Sequence, residues 1–179
     1  MVDIVDQIIF TFSSDNSLYI GEDLTMSEHM IQTAMLAEKN QSSNNLICSS
    51  LLHDYGHFVI NDPSKLVEKD IDGKHEIIGA NYLKKFFPNE VIQPILLHVE
   101  AKKYLARDKK YYTALSNASK VSLKLQGGPM TTNEVKKFEL NKCYKDAIKL
   151  RMFDEKAKNK NLKIKKIEDY RELLISKCL

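Results

Sequence analysis

Apolar positions along this chain recur at helical spacing, and strand alternation is nowhere convincing. Residues 3–12 (DIVDQIIFTF) predict a short opening helix, and SSDNSL after it is turn chemistry. Ser27 stands where it can cap a helix through EHMIQTAMLAEKN, with Met30, Ala34 and Ala37 at helical spacing. Asn44 and Asn45 open the next helix, which carries LICSSLLHDYGH. NDPSKLVEKDIDGK reads as a polar loop or lid with Pro63 and Gly73 as breakers. A helix over 75–87 is closed by Pro88, and Asn89 is placed to cap VIQPILLHVEAKKYL, with Pro94 a few residues inside it. Residues 109–124 form another helix, stopped by Gly127-Gly128-Pro129. Thr132 caps a long helix from 133 to about 153, KAKNKNLKIKK is a solvated basic segment, and a last helix ends near Cys178. There is no internal repeat and no dividing linker, so the expectation is an all-α fold in a single domain, 1–179.

Composition narrows the function classes. The 179 residues suffice for one substantial core. The charge balance, 27 − 24 = +3, is too mild to imply nucleic acid, though it tolerates a small anionic substrate. MVDIVDQIIF has no basic n-region, so a signal peptide is not expected, and no apolar run is long enough for a bilayer. Cys48, Cys143 and Cys178 are odd in number and far apart, which argues against a disulfide framework and for a reducing cytoplasm.

The chemistry concentrates in five histidines: His29, His53, His57, His75 and His98. Any one of them, taken singly, is more often a surface or core residue than a ligand. His53-Asp54 differs because it follows the apolar LICSSLL. An imidazole and a carboxylate buried together are costly without a partner, and a metal ion is the natural one. The bland reading is a helix end with a stabilising histidine and a solvated aspartate. Three further pairs add weight: His53 with His57, His98 with Lys102, and Arg151 with Asp154, each one helical turn apart. Asp54 has two oxygens and can bridge two metals.

Together these residues resemble the HD-domain superfamily and, within it, the mixed-valent di-iron oxygenases. The resemblance runs from Tyr19 to about Lys163 through YIGEDLTMSEH, LLHDYGHF, KHEIIGANYL, LLHVEAKKYL, LSNASKVSLKLQGGPM and LRMFDEKAK. It implies a single HD-domain helical bundle, core about 19–163, around a buried two-metal site holding two iron ions (Fe2+/Fe3+). The family's ligand order, H…HD…H…H…D, falls on His29, His53, Asp54, His75, His98 and Asp154. By resemblance one iron is held by His29, His53, Asp54 and Asp154, and the other by Asp54, His75 and His98. Tyr19 would be a labile ligand of the second iron that leaves when substrate binds. Glu22 would meet the substrate amino group. His57, Lys102, Ser119 and Arg151 match the positions that hold the phosphonate, and Tyr19, Glu22, His57 and Lys102 are the expected catalytic set.

The activity so implied is O2-dependent cleavage of the carbon–phosphorus bond of (R)-2-amino-1-hydroxyethylphosphonate to glycine and phosphate, in phosphonate catabolism. The substrate supplies the electrons, so no external reductant is implied. The functional partner would be an Fe(II)/2-oxoglutarate hydroxylase that makes the substrate, with no nucleic acid and no membrane involved. Alternatives remain open. Two-metal HD-domain phosphohydrolases share a similar ligand order, and a sibling oxygenase could take an N-methylated or longer aminophosphonate. A helical module with a decayed site predicts missing ligands, whereas all six positions are filled. Ligand types alone do not choose iron over manganese, cobalt or zinc.

Overall fold

Capping side chains set where the helices begin. The computed structural model describes residues 3–19, 23–60 and 74–179. Asp3 accepts the Val5 N–H and starts α1 (Ile4–Ser13). Thr25 starts α2 (Met26–Lys39) through a capping box with Glu28, so the cap is Thr25 and not Ser27. Thr25 followed three residues later by Glu28 satisfies two orphan N–H groups, whereas Ser27 is buried inside the first turn. Ser43 caps α3 (Asn44–Leu52), and a short α4 (Gly56–Val59) follows. Helix α5 (His75–Leu83) is shorter than the expected 75–87, whose last residues form a turn. Pro88, extended at ψ 162°, caps α6 (Asn89–Leu105) in place of Asn89. Its carbonyl accepts from Val91 and Ile92.

Two expected long helices are each broken in two. The 109–124 segment divides into α7 (Lys109–Ala114) and α8 (Asn117–Leu125), because Ser116 accepts the Ser119 N–H and caps a new start. Gly127 and Gly128, at φ 93° and 76°, stop α8 as expected. The 133–153 segment divides into α9 (Thr132–Glu139) and α10 (Tyr144–Lys156). Thr131 caps α9 in a box with Glu134, not Thr132. Asn141 makes the break after α9 by accepting the Cys143 N–H and donating to Gln93. A 3-10 turn (Ile167–Tyr170) and α11 (Arg171–Lys177) complete the chain. Among the described residues the sole strand-like feature is one bridge between Leu18 and Thr25. No helix there is long and apolar enough to cross a membrane. Most of the 60–74 segment, expected as a lid, lies outside the described residues.

Helices α2, α3, α6 and α10 pack against one another, with α5 laid on α6. Their shared core includes Met30, Leu51, Leu52, Leu83, Ile95 and Leu150. Each such side chain contributes about 1.5–3 kcal/mol of burial free energy. Helix α1 and α11 close one end of this core through Ile8, Phe12 and Leu174.

One contact positions the site directly. Helix α4 meets α5 at Gly56 and Gly79, so closely that a Cβ on Gly56 would stand 2.0 Å from the His75 carbonyl oxygen. That approach sets the ring of His57 against the ring of His75. Gly56→Ala is therefore expected to destabilise the protein by at least about 2 kcal/mol through overpacking against backbone. Urea unfolding checks this, and an unchanged midpoint would show that the crossing relaxes without cost.

Candidate metal centre

The helices deliver six buried or nearly buried donors to one place. His29 projects from α2, His53 is the C-cap of α3 with Asp54 in the turn after it, and His75 opens α5. His98 comes from α6 and Asp154 from the last turn of α10. They form two groups, His29–His53–Asp154 and Asp54–His75–His98. In the first, the Nε2 atoms of His29 and His53 are 3.2 Å apart, and His29 Nε2 is 3.2 Å from Asp154 Oδ1. In the second, the Nε2 atoms of His75 and His98 are 3.1 Å apart. Asp54 divides its carboxylate between them. Its Oδ2 lies 3.4 Å from His53 Nε2 and 3.7 Å from His29 Nε2, while its Oδ1 lies 3.3 Å from His75 and 3.6 Å from His98.

The outer edges of the rings decide what the inner edges present. His29 Nδ1 faces the Ala157 carbonyl at 2.9 Å, His53 Nδ1 that of Ser50 at 2.9 Å, and His98 Nδ1 that of Ile95 at 2.7 Å. A carbonyl can only accept, so Nδ1 carries the hydrogen in each ring. Between His29 and His53 the neutral Nε2 atoms then turn lone pairs toward each other across 3.2 Å, a repulsion that a shared metal ion, or in its absence a proton on His53, relieves. Asp154 Oδ1 is buried with no hydrogen-bond partner. Converging imidazole nitrogens with a bridging and a terminal carboxylate suit first-row divalent metals, and this donor set fits a pair of them.

The titration behaviour agrees with that chemistry. Burial, and then the neighbouring His75, push His98 down to about 3. Burial and His75 likewise push His57 down to about 4, so both rings are neutral at pH 7. Burial opposes ionisation of Asp54, but His53 and His75 outweigh it and hold the carboxyl well below its usual range. Arg151 outweighs burial at Asp154 in the same way. His53, in the absence of any metal charge, is raised to about 9 because Asp54 overcomes the burial penalty.

The other expected residues flank these groups. The Tyr19 ring stacks on His29 at 3.9 Å between centroids, and the His57 ring stacks on His75 at 4.4 Å. Burial and the carboxylates of Asp154 and Asp54 raise the Tyr19 phenol, a field that bound cations would reverse. Lys102, one turn beyond His98 and buried, donates to Ser122 Oγ at 2.9 Å and lies near enough to oppose the charge on His75. Arg151 is 3% exposed. It pairs with Asp154 and Glu155, and donates to the Tyr111 hydroxyl at 3.1 Å and Ser119 Oγ at 3.3 Å. Glu22 lies outside the described residues.

Sequence reasoning missed Glu155, Lys158, Ser116 and Tyr111. The signal for Glu155 and Lys158 was present, since they follow Arg151 at one-turn steps. It was obscured because Lys158 sits in a run of lysines. That run is not simply a solvated face. Lys158 turns inward to Ser116, Ser119 and Glu155, Lys160 pairs with Asp23, and Lys165 pairs with Glu38. Gln32 clamps the same segment by exchanging two hydrogen bonds of 3.0 Å with the Asn159 backbone, beside the Ala157 carbonyl that orients His29.

The HD domain profile matches residues 26–172. The chain is 43% identical, over 80% of its length and 74% of the relative's, to [1-hydroxy-2-(trimethylamino)ethyl]phosphonate dioxygenase (glycine-betaine-forming) of Leisingera caerulea. It is 40% identical to hydroxymethylphosphonate dioxygenase of Gimesia maris, over 85% of this chain and 77% of that one. It is 37% identical to the uncharacterized protein L432 of Acanthamoeba polyphaga mimivirus, over 88% and 73%. With both donor groups in place inside the matched helices, the chain belongs to the HD-domain family, in which phosphonate dioxygenases are among its relatives.

Proposed function

We propose that this protein is a di-iron oxygenase, folded as one HD domain, that uses O2 to cleave the carbon–phosphorus bond of a 1-hydroxyphosphonate. The observation that carries this reading is the Asp54 carboxylate shared between two histidine groups, with Lys102, Ser119 and Arg151 gathered beside them. The two named relatives support it, because both act on phosphonates with a hydroxyl on the carbon next to phosphorus. The substrate implied by the family resemblance is (R)-2-amino-1-hydroxyethylphosphonate; Glu22 suits a cationic amine and leaves an N-methylated or longer sibling as the alternative. Its conversion with one O2 to glycine and phosphate balances without an added reductant.

A mixed-valent iron pair, held by His29, His53, Asp54 and Asp154 on one side and Asp54, His75 and His98 on the other, would supply O2 activation and the redox chemistry. The chain's own residues do the rest. Lys102, Arg151, His57 and Ser119 hold the phosphonate where little water screens their charge. His57 is neutral here and donates a hydrogen bond without adding charge. Tyr19 yields its place to the substrate, and Glu22 fixes the amine so that the C1 hydrogen faces the reacting side. A preceding hydroxylation, by an Fe(II)/2-oxoglutarate enzyme, is the class of reaction that would install the 1-hydroxyl.

Iron-loaded protein should form glycine and phosphate in equal amounts from the aminohydroxyphosphonate, and only with O2. Phosphate release that persists under nitrogen would instead make the protein a phosphohydrolase. A panel adding the trimethylated and hydroxymethyl compounds ranks the amine preference. Loss of that preference in Glu22→Ala is expected, and an unchanged ranking would remove Glu22 from its role.

Lys102→Met should raise KM for the phosphonate roughly 30- to 150-fold, the cost of a charged hydrogen bond of about 2–3 kcal/mol. A KM unchanged by that variant would place the anion elsewhere. Metal analysis tests the centre independently of turnover. Two ions per chain are expected for the wild type and one for His98→Ala. Asp54→Asn, which removes the shared anion, should retain less than one, and equal metal content in all three proteins would rule out the bridge.

A further inference from the structure

We propose that Glu155 is a built-in competitor for the phosphonate, occupying the anion-binding groups of Arg151 and Ser119 until substrate displaces it. The inference rests on the phosphonate reading above and adds to it a residue that the reading does not use. The two oxygens of Glu155 have different partners. Oε2 accepts from Ser119 Oγ at 2.8 Å and from Arg151 Nη2, two of the four groups assigned to the substrate. Oε1 accepts from the Ser116 backbone N–H at 3.0 Å and from Lys158 Nζ at 3.4 Å, donors outside that assignment. Lys158 Nζ also donates to Ser116 Oγ at 2.9 Å and to Ser119 Oγ at 3.3 Å. One end of the carboxylate therefore does what a phosphonate oxygen would do, and the other end is anchored on separate groups.

Displacement needs no bond chemistry and no large movement. An incoming phosphonate takes the donors of Arg151 and Ser119, and Glu155 pivots about Oε1, which stays on Ser116 and Lys158. The side chains of Arg151, Lys158 and Glu155 are 4%, 11% and 14% exposed, so their charges are weakly screened and the exchange carries weight in binding. The effect is to weaken anion binding, including that of the phosphate product. A pocket of arginine, lysine and histidine beside metal ions would otherwise retain phosphate and slow turnover. Glu155 is thus a positioning residue that sets how tightly the anion is held.

The test is equilibrium binding of inorganic phosphate and of hydroxymethylphosphonate to metal-loaded protein without O2, by calorimetry. Glu155→Gln should bind phosphate about tenfold more tightly than wild type, since an amide competes less well than a carboxylate for Arg151. The double variant Glu155→Gln/Lys158→Met removes one negative and one positive charge, leaving the net charge unchanged. It also removes both charges of a partly buried pair together, which keeps the fold testable should the single variant fail to fold. It too should bind phosphate more tightly than wild type. Equal or weaker phosphate binding by the folded double variant overturns the proposal alone. If folded, metal-loaded wild type binds neither phosphate nor hydroxymethylphosphonate, the phosphonate reading itself falls and takes this proposal with it.

Discussion

Four imidazoles turned edge-on to one carboxylate, three of them with their protons directed outward, are an arrangement that a folded chain does not hold for its own sake. Asp54 sits between the His29–His53 pair and the His75–His98 pair, one oxygen toward each. Backbone carbonyls of Ala157, Ser50 and Ile95 fix the outer nitrogens of three rings, leaving their lone pairs aimed inward. Such a cluster costs free energy unless cations occupy its centre, and the helices around it supply the packing that tolerates that cost. The geometry of α2, α3, α6 and α10 follows from this demand. Each contributes a donor and a share of the same apolar core, so metal affinity and fold stability depend on the same contacts.

Outside these helices, the remaining segments act by holding the candidate ligands at an angle. The Gly56–Gly79 crossing fixes α4 against the first turn of α5, and with it the stacking of His57 on His75. The clamp between Gln32 and Asn159 holds the chain just after α10, so that the Ala157 carbonyl meets His29. Arg151 takes one oxygen of Asp154 and leaves the other for the centre. These outer contacts decide ligand orientation, which typically matters 10- to 100-fold in metal affinity.

Much of this was legible in the sequence, and the failures have physical reasons. Helical periodicity was clear because the central helices bury wide apolar faces. His53-Asp54 stood out because seven apolar or small residues precede it. The broken helices were not legible. Ser116 and Asn141 are ordinary polar residues on a helical pattern until their side chains bond backbone N–H groups and end it. Caps were displaced by one or two residues: Thr25 and Thr131 each lie within two residues of another hydroxyl residue that could cap equally well, and Pro88 caps through its extended backbone although Asn89 has the better capping side chain. Lys158 was hidden by its neighbours. A partly buried lysine within a basic run differs from the others only in where α10 ends and the chain turns inward.

The fixed charges around the centre limit how an anion can be bound there. Among the residues placed by the structure, the four carboxylates of Asp54, Asp154, Glu155 and Glu76 stand against Arg151, Lys102 and Lys158, a balance of −1 that a protonated His53 brings to zero in the metal-free site. Arg151 is already engaged by two carboxylates, and Lys158 by one. A phosphonate dianion brought to these side chains alone would meet no net attraction. Two divalent or trivalent cations in the histidine groups would turn that balance positive, and the side chains would then add orientation to the attraction. Anion binding at such a site would be conditional on metal binding, so residues holding the metals would also govern the affinity of a ligand that most of them do not touch.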